Sequence, residues 1–198
     1  IVLLIAIEIV SSRHWNALPL SLLALVFAAA AALALYSGGF GTAPFPGQLM
    51  VDPTATLSKA LILALAIPVL LISRDDFVEP QFHILLLSSL YGACVLLSSE
   101  SFLTLFLGLE LMSLPVYAMV LLADRRPESA EAALKYLVLG GTATATLLMG
   151  ASLLYGSAGS LSLASFRDAL ASTDVMAQMA IALVIAAFFL KAAVVPFH

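Results

Sequence analysis

Three charged residues stand where charge is expensive. Glu110 lies almost at the middle of the apolar run from Phe102 to Leu122, FLTLFLGLELMSLPVYAMVLL. Lys191 follows MAIALVIAAFFL, and Lys135 sits early in another apolar segment. A carboxylate at mid-depth in a bilayer is costly unless it is protonated, paired or facing water. An ammonium supplied by another helix would pair with it and, by moving, change how strongly it holds a proton. That is the chemistry of a charge-coupled proton or ion pathway. The bland alternatives are a protonated structural glutamate bonded to a neighbouring helix, and a lysine whose head snorkels to the interface. Lys135 has Glu131 one helical turn before it, so a local salt bridge competes with a relay role.

Other polar groups carry less. His14 reads as a surface turn residue. His83 reads as a polar helix end that could also help proton uptake, and His198 needs its continuation to be judged. Tyr117 and Tyr136 read as packing or interface residues. Gly140-Gly141 falls inside an apolar helix, without the strand–turn–helix context of a dinucleotide site. Neither a metal cluster nor a hydrolytic triad is visible, and no redox cofactor is expected in this chain.

Composition sets the solvent around these charges. The 198 residues are 63% hydrophobic and 10% charged, far from the balance of a soluble domain. About 20 apolar residues cross a hydrocarbon core as a helix, because backbone polar groups in lipid must be satisfied within the segment. A formal net charge of −4 implies no acidic tail and no nucleic-acid surface. The single cysteine, Cys94, excludes internal disulfides and multi-cysteine metal sites. The chain opens within an apolar run without Met and stops just after another, so it is expected to be part of a larger protein.

Seven apolar segments must position the charges. The first, 1–11, carries Glu8 and leads to a polar turn with Trp15 as an interfacial anchor. The second is 18–36. The Gly- and Pro-rich stretch 37–57 reads mostly as loop, with Asp52-Pro53-Thr54 starting a third span that holds Lys59 and runs to about Ser73. A charged turn, 74–80, precedes a fourth span at 81–98. Ser98, Ser99 and Glu100 form a tight connection, with an acid suited to the positive end of the next helix. Pro115 in the fifth span frees the Leu111 carbonyl and tends to kink the rod. Pro127 opens the sixth span, whose Gly and Ala residues allow close helix approach. A short helix is expected at Leu163 to Leu170, and the last span starts near Asp174, carries Lys191 and is interrupted near Pro196. The 12–16, 74–80 and 123–130 loops share one side and hold Arg13, Arg74, Arg125 and Arg126, which places that side in the cytoplasm or matrix.

Three stretches, FLTLFLGLELMSLPVYAMVL, ESAEAALKYLVLGG and FFLKAAVVPFH, resemble the subunit N family of proton-pumping NADH–quinone oxidoreductases. The mitochondrial counterpart is NADH dehydrogenase subunit 2. The resemblance covers roughly residues 75–198 in order and spacing. It implies an all-α polytopic membrane protein, a fragment of a fourteen-helix antiporter-like fold with inverted five-helix repeats and a broken seventh helix. Residues 1–74 would be helices 1–3, and 75–198 helices 4–7 of an incomplete first repeat. Carried over residue by residue, Glu110 pairs with Lys191, and Lys135 is a further ionisable member of the relay.

The implied activity is proton translocation driven electrostatically by quinone reduction elsewhere in a complex. NADH, FMN, iron–sulfur clusters and quinone would belong to other subunits. Partners would be other membrane subunits, including a neighbouring antiporter-like subunit and small membrane subunits, within a bacterial inner membrane rather than a mitochondrial one. A subunit of a multisubunit cation/proton antiporter is the rival reading. A structural membrane scaffold is a third, disfavoured because scaffolding does not explain opposite charges deep in separate apolar helices.

Overall fold

The computed structural model describes residues 1–10, 16–76, 79–123 and 126–194, with the side chains of Leu3, Glu8, Ile9 and Val10 left aside. The expected roles of Glu8, Arg13, His14, Trp15, Arg125 and His198 therefore lie outside what is described. The described residues form α1 (Val2–Val10), α2 (Leu18–Ser37), β1 (Thr42–Phe45), β2 (Leu49–Val51), α3 (Pro53–Ile72), α4 (Pro80–Leu96), α5 (Phe102–Leu122), α6 (Pro127–Ala158), α7 (Leu163–Leu170) and α8 (Val175–Lys191).

The chain is a polytopic, predominantly helical membrane protein. Helices α2, α3, α5 and α6 are each long and apolar enough to cross a bilayer. Helix α4 has 17 residues, about 26 Å at 1.5 Å per residue. Helices α7 and α8 form a broken span bent by 119°. Leucines such as Leu23, Leu61, Leu103 and Leu139 are widely exposed, as helices need when lipid or further protein is their surroundings.

Helix starts follow local chemistry. The Asp52 carboxylate accepts from Ala55 N at 2.6 Å and Pro53 follows it, so α3 begins where its first orphan donors are met. Ser101 and Thr104 form a capping box at the start of α5. Glu100, expected to serve the α5 dipole, turns instead to the backbone N–H of Gly47 at 3.2 Å.

The stretch expected to be mostly loop contains an antiparallel hairpin. Strands β1 and β2 turn through Gly47, whose φ of 75° suits a residue without a side chain. The hairpin is strapped to the α4–α5 connection: Met50 N donates to Ser98 O and Glu100 N to Gln48 O. That connection also grips the α6–α7 link, with Phe102 N donating to Leu161 O and Leu163 N to Glu100 O. One end of the bundle is thus a hydrogen-bonded cap, and the Arg74 and Arg126 turns occupy the other.

Two buried cores lie beneath. Leu25, Leu63, Leu70, Phe82 and Leu87 fill the α1–α4 side. Leu109, Leu147, Leu154, Ala180 and Val184 fill the α5–α8 side. Where α4 meets α5, a Cβ on Gly108 would lie 2.8 Å from Leu96 N, and one on Gly92 would strike the Leu111–Met112 backbone. Gly150 similarly lets α6 approach Val184 of α8. These small residues set helix separations by backbone contact.

Candidate functional site

Glu110 occupies the third turn of α5, counted from the capped end. Its height is set from that end, because Thr104 Oγ1 donates to Gln48 O and Ser101 Oγ to Gln48 Oε1, each at 2.8 Å. Beyond Glu110 the helix is relaxed by Pro115, which lacks the N–H for an intrahelical bond. Ser89 of α4 meets this stretch by donating to Met112 O at 2.8 Å, one residue past the carbonyl that proline frees. Hydroxyls re-satisfying backbone near a transmembrane proline are a general solution in lipid.

Lys191 is the last residue of α8. The helix stops there in a Schellman arrangement: Ala193 N donates to Leu190 O at 3.3 Å and Val194 N to Phe189 O at 3.1 Å. Ala193 takes φ 49°, the left-handed conformation that this motif ordinarily gives to glycine. Helix α8 therefore ends at Lys191; Pro196, near which an interruption was expected, lies outside the described residues. An ammonium at the helix C-terminus also sits at the negative end of the α8 dipole.

The two side chains meet. Lys191 Nζ donates to Glu110 Oε1 at 2.8 Å, with side-chain exposures of 12% and 21%. Two hydroxyls complete the cluster. Thr144 of α6 places Oγ1 2.5 Å from Glu110 Oε1 and 2.9 Å from Gly140 O. Ser113 accepts from Lys191 Nζ at 3.3 Å while donating to Leu109 O at 2.6 Å. One carboxylate oxygen thus carries donors from α6 and α8, and the ammonium has a second acceptor one turn along α5. Charges this enclosed are tolerable because each has an opposite charge and a hydrogen bond.

Lys135 is placed differently. It pairs with Glu131 at 2.6 Å on an exposed face, with side-chain exposures of 69% and 66%. Thr144, which touches Glu110, is nine residues further along α6, about 13 Å by helical rise. The structure thus joins Glu110 to Lys191 and leaves Lys135 at the Arg-rich end of α6. Thr144 and Ser113 were not singled out from the sequence. The available signal was their spacing, Ser113 one turn after Glu110 and Thr144 within the small-residue run GGTATAT. Among the described residues no cluster of three or more His, Cys, Asp or Glu is placed to hold a metal ion.

Residues 99–198 match the family described as NADH:quinone oxidoreductase/Mrp antiporter, transmembrane. NADH-quinone oxidoreductase subunit N of Pelobacter propionicus is 36% identical over 76% of this chain and 33% of its own length. The Laribacter hongkongensis protein of the same name is 32% identical, covering all of this chain and 42% of its own length. A chain of respiratory complex I from Thermus thermophilus superposes with TM-score 0.84 at 31% identity, over 100% of this chain and 43% of that one. A chain of the Mrp complex from Dietzia sp. shares the fold, with TM-score 0.79 at 22% identity over 100% of this chain and 40% of its own. The chain spans about two fifths or less of the length of these curated relatives.

Proposed function

The chain belongs to the NADH:quinone oxidoreductase/Mrp antiporter membrane family, and on that premise we propose that it is proton-translocating, as a subunit of the N type within an NADH–quinone oxidoreductase. The observation that carries this reading is the enclosed Glu110–Lys191 pair, which joins the middle of α5 to the C-terminal end of α8. Separating such a pair strands two charges in a poor solvent, at a cost of about 3–5 kcal/mol. The cost is relieved if the carboxylate takes up a proton and the ammonium gives one up. Any rearrangement that opens the pair is thereby tied to proton movement. Reduction of quinone in another subunit would supply the rearrangement, and this chain would contact neither NADH nor an iron–sulfur cluster.

In this reading Thr144 and Ser113 hold the pair in register while it is closed. Lys135, released from Glu131, is a further station toward the Arg-rich end. Other membrane subunits would surround the chain in a bacterial inner membrane, which accords with the bacterial relatives and the exposed apolar helix faces.

The test is Glu110→Gln in the intact complex, reconstituted in sealed vesicles. Quinone turnover and proton uptake are followed together. Strongly reduced pumping supports the reading, whether turnover falls with it or is uncoupled. A normal proton-to-electron ratio at normal turnover overturns it. Pumping that depends on external Na⁺ or K⁺ instead of quinone turnover would point to a cation/proton antiporter.

A further inference from the structure

Several hydroxyls within these helices bond carbonyls of their own helix. Ser113 donates to Leu109 O, Thr142 to Val138 O and Thr146 to Thr142 O, as serine and threonine ordinarily do in a helix. Ser89 departs from this. Buried in α4, it donates across the helix interface to Met112 O of α5 at 2.8 Å. Three residues later on the same face of α4, Gly92 lets the two backbones touch, since a Cβ there would collide with Met112 N. Helix α4 therefore meets α5 at both peptide groups of Met112.

Met112 stands beside the charges. Its carbonyl and the N–H of Ser113 belong to one planar peptide unit, and Ser113 Oγ accepts from Lys191 Nζ at 3.3 Å. Glu110, two residues before Met112, lies about 200° away around the helix. There its Oε1 meets Thr144 and Lys191. The stretch 110–113 is thus held from α4 on one side and from α6 and α8 on the other. Its own helix holds it less than usual, because Pro115 offers no N–H to Leu111 O. A turn that lacks an internal bond takes its orientation from its neighbours, and the bond at Met112 O fixes it where Ser113 begins.

We infer that Ser89 is a positioning residue for the charge pair, holding Met112 O so that the next residue, Ser113, meets the Lys191 ammonium. This rests on the proton-transfer reading of Glu110 and Lys191. Ser89 touches neither charge and exchanges no proton. Without its hydroxyl the proline-relaxed turn is free to rotate and Ser113 leaves the ammonium. Lys191 then keeps Glu110 as its one partner among the described residues. The pair loses a bond that holds it closed, and proton transfer through it slows.

The test uses the full-length protein in its complex, in sealed vesicles, and reads the rate of proton uptake during quinone turnover. Ser89→Ala is expected to slow uptake by roughly threefold to tenfold, the equivalent of one hydrogen bond, with the complex assembled in native amount. Ser89→Thr, which keeps the hydroxyl, is expected to retain most of the rate. Ser21→Ala removes another buried hydroxyl, one that bonds only carbonyls at the start of α2, and should leave uptake native. Because Ser89 acts through Ser113, adding Ser89→Ala to Ser113→Ala should slow uptake no further than Ser113→Ala alone. Native uptake in Ser89→Ala overturns the inference and leaves the reading of the pair intact. Equal slowing by Ser21→Ala or Ser89→Thr, or losses that add in the double variant, overturn it by showing a general packing effect. Should Ser89→Ala fail to assemble, Ser89→Cys, with its weaker donor, takes its place under the same outcomes. Native uptake in Glu110→Gln overturns the reading of the pair, and the inference with it.

Discussion

Thr144 and Lys191 address the same atom: Thr144 Oγ1 lies 2.5 Å and Lys191 Nζ 2.8 Å from Glu110 Oε1. The threonine hydroxyl has a second acceptor in Gly140 O but only one proton to give. While Glu110 is charged, the hydroxyl serves the carboxylate. When Glu110 is protonated, it can turn back to its own helix.

This relationship makes Thr144→Val informative, because valine keeps the shape and removes the donor. A hydrogen bond to a charged group contributes about 1.5–3 kcal/mol. Proton uptake by the reconstituted complex should fall by roughly tenfold or more at 1.4 kcal/mol per decade. Thr144→Ser should retain most of it.

The strained end of α8 gives a second expectation. Ala193 holds a positive φ that glycine adopts without a Cβ penalty. Ala193→Gly should stabilise the break by about 1 kcal/mol, read as a higher midpoint for thermal disassembly of the purified complex. Ala193→Val should lower it.

Most of this architecture was legible because membrane segments announce themselves. The bounds of α5 and α7 match those read from the sequence, and Asp52-Pro53 starts α3 as its residue types require. Glu110 stood out because a charge inside an apolar run has no bland explanation of equal weight. Three things were hidden. The hairpin at Thr42–Val51 depends on docking against Ser98 and Glu100, which local propensity does not reveal, since isolated two-stranded hairpins are marginal. Its visible clue was Pro46-Gly47 between apolar residues. The halt of α8 at Lys191 turns on Ala193 accepting the left-handed position that glycine usually fills, which residue type alone does not announce. Thr144 and Ser113 were overlooked because hydroxyls in transmembrane helices usually bond their own backbone, as both also do here.

Helix contact at α4 and α5 predicts a contrast between two glycines. Gly92→Ala drives a methyl group into the Leu111–Met112 backbone, whereas Gly141 has nothing within 4 Å of a new Cβ. The first should destabilise by about 1–3 kcal/mol and disturb the stretch that carries Glu110. Gly141→Ala should be neutral or stabilising by up to about 1 kcal/mol. Yield and thermal stability of the assembled complex distinguish them.

The exposed pair on α6 should matter little to folding. Glu131→Gln removes the partner of Lys135 from an exposed face, where an ion pair adds little to stability. Assembly and thermal stability should stay native. An effect on proton uptake at unchanged stability would then mark Lys135 as a working relay station.

The Glu110–Lys191 pair is best tested by a double-mutant cycle in the reconstituted complex, with Glu110→Gln, Lys191→Met and both together. Proton uptake per quinone reduced is measured for all four proteins. If the two charges act as one coupled unit, each single variant loses most of the pumping and the double variant loses no more than either. Losses that simply add, or a native proton ratio in either single variant, would contradict the claim that this pair couples helix rearrangement to proton transfer.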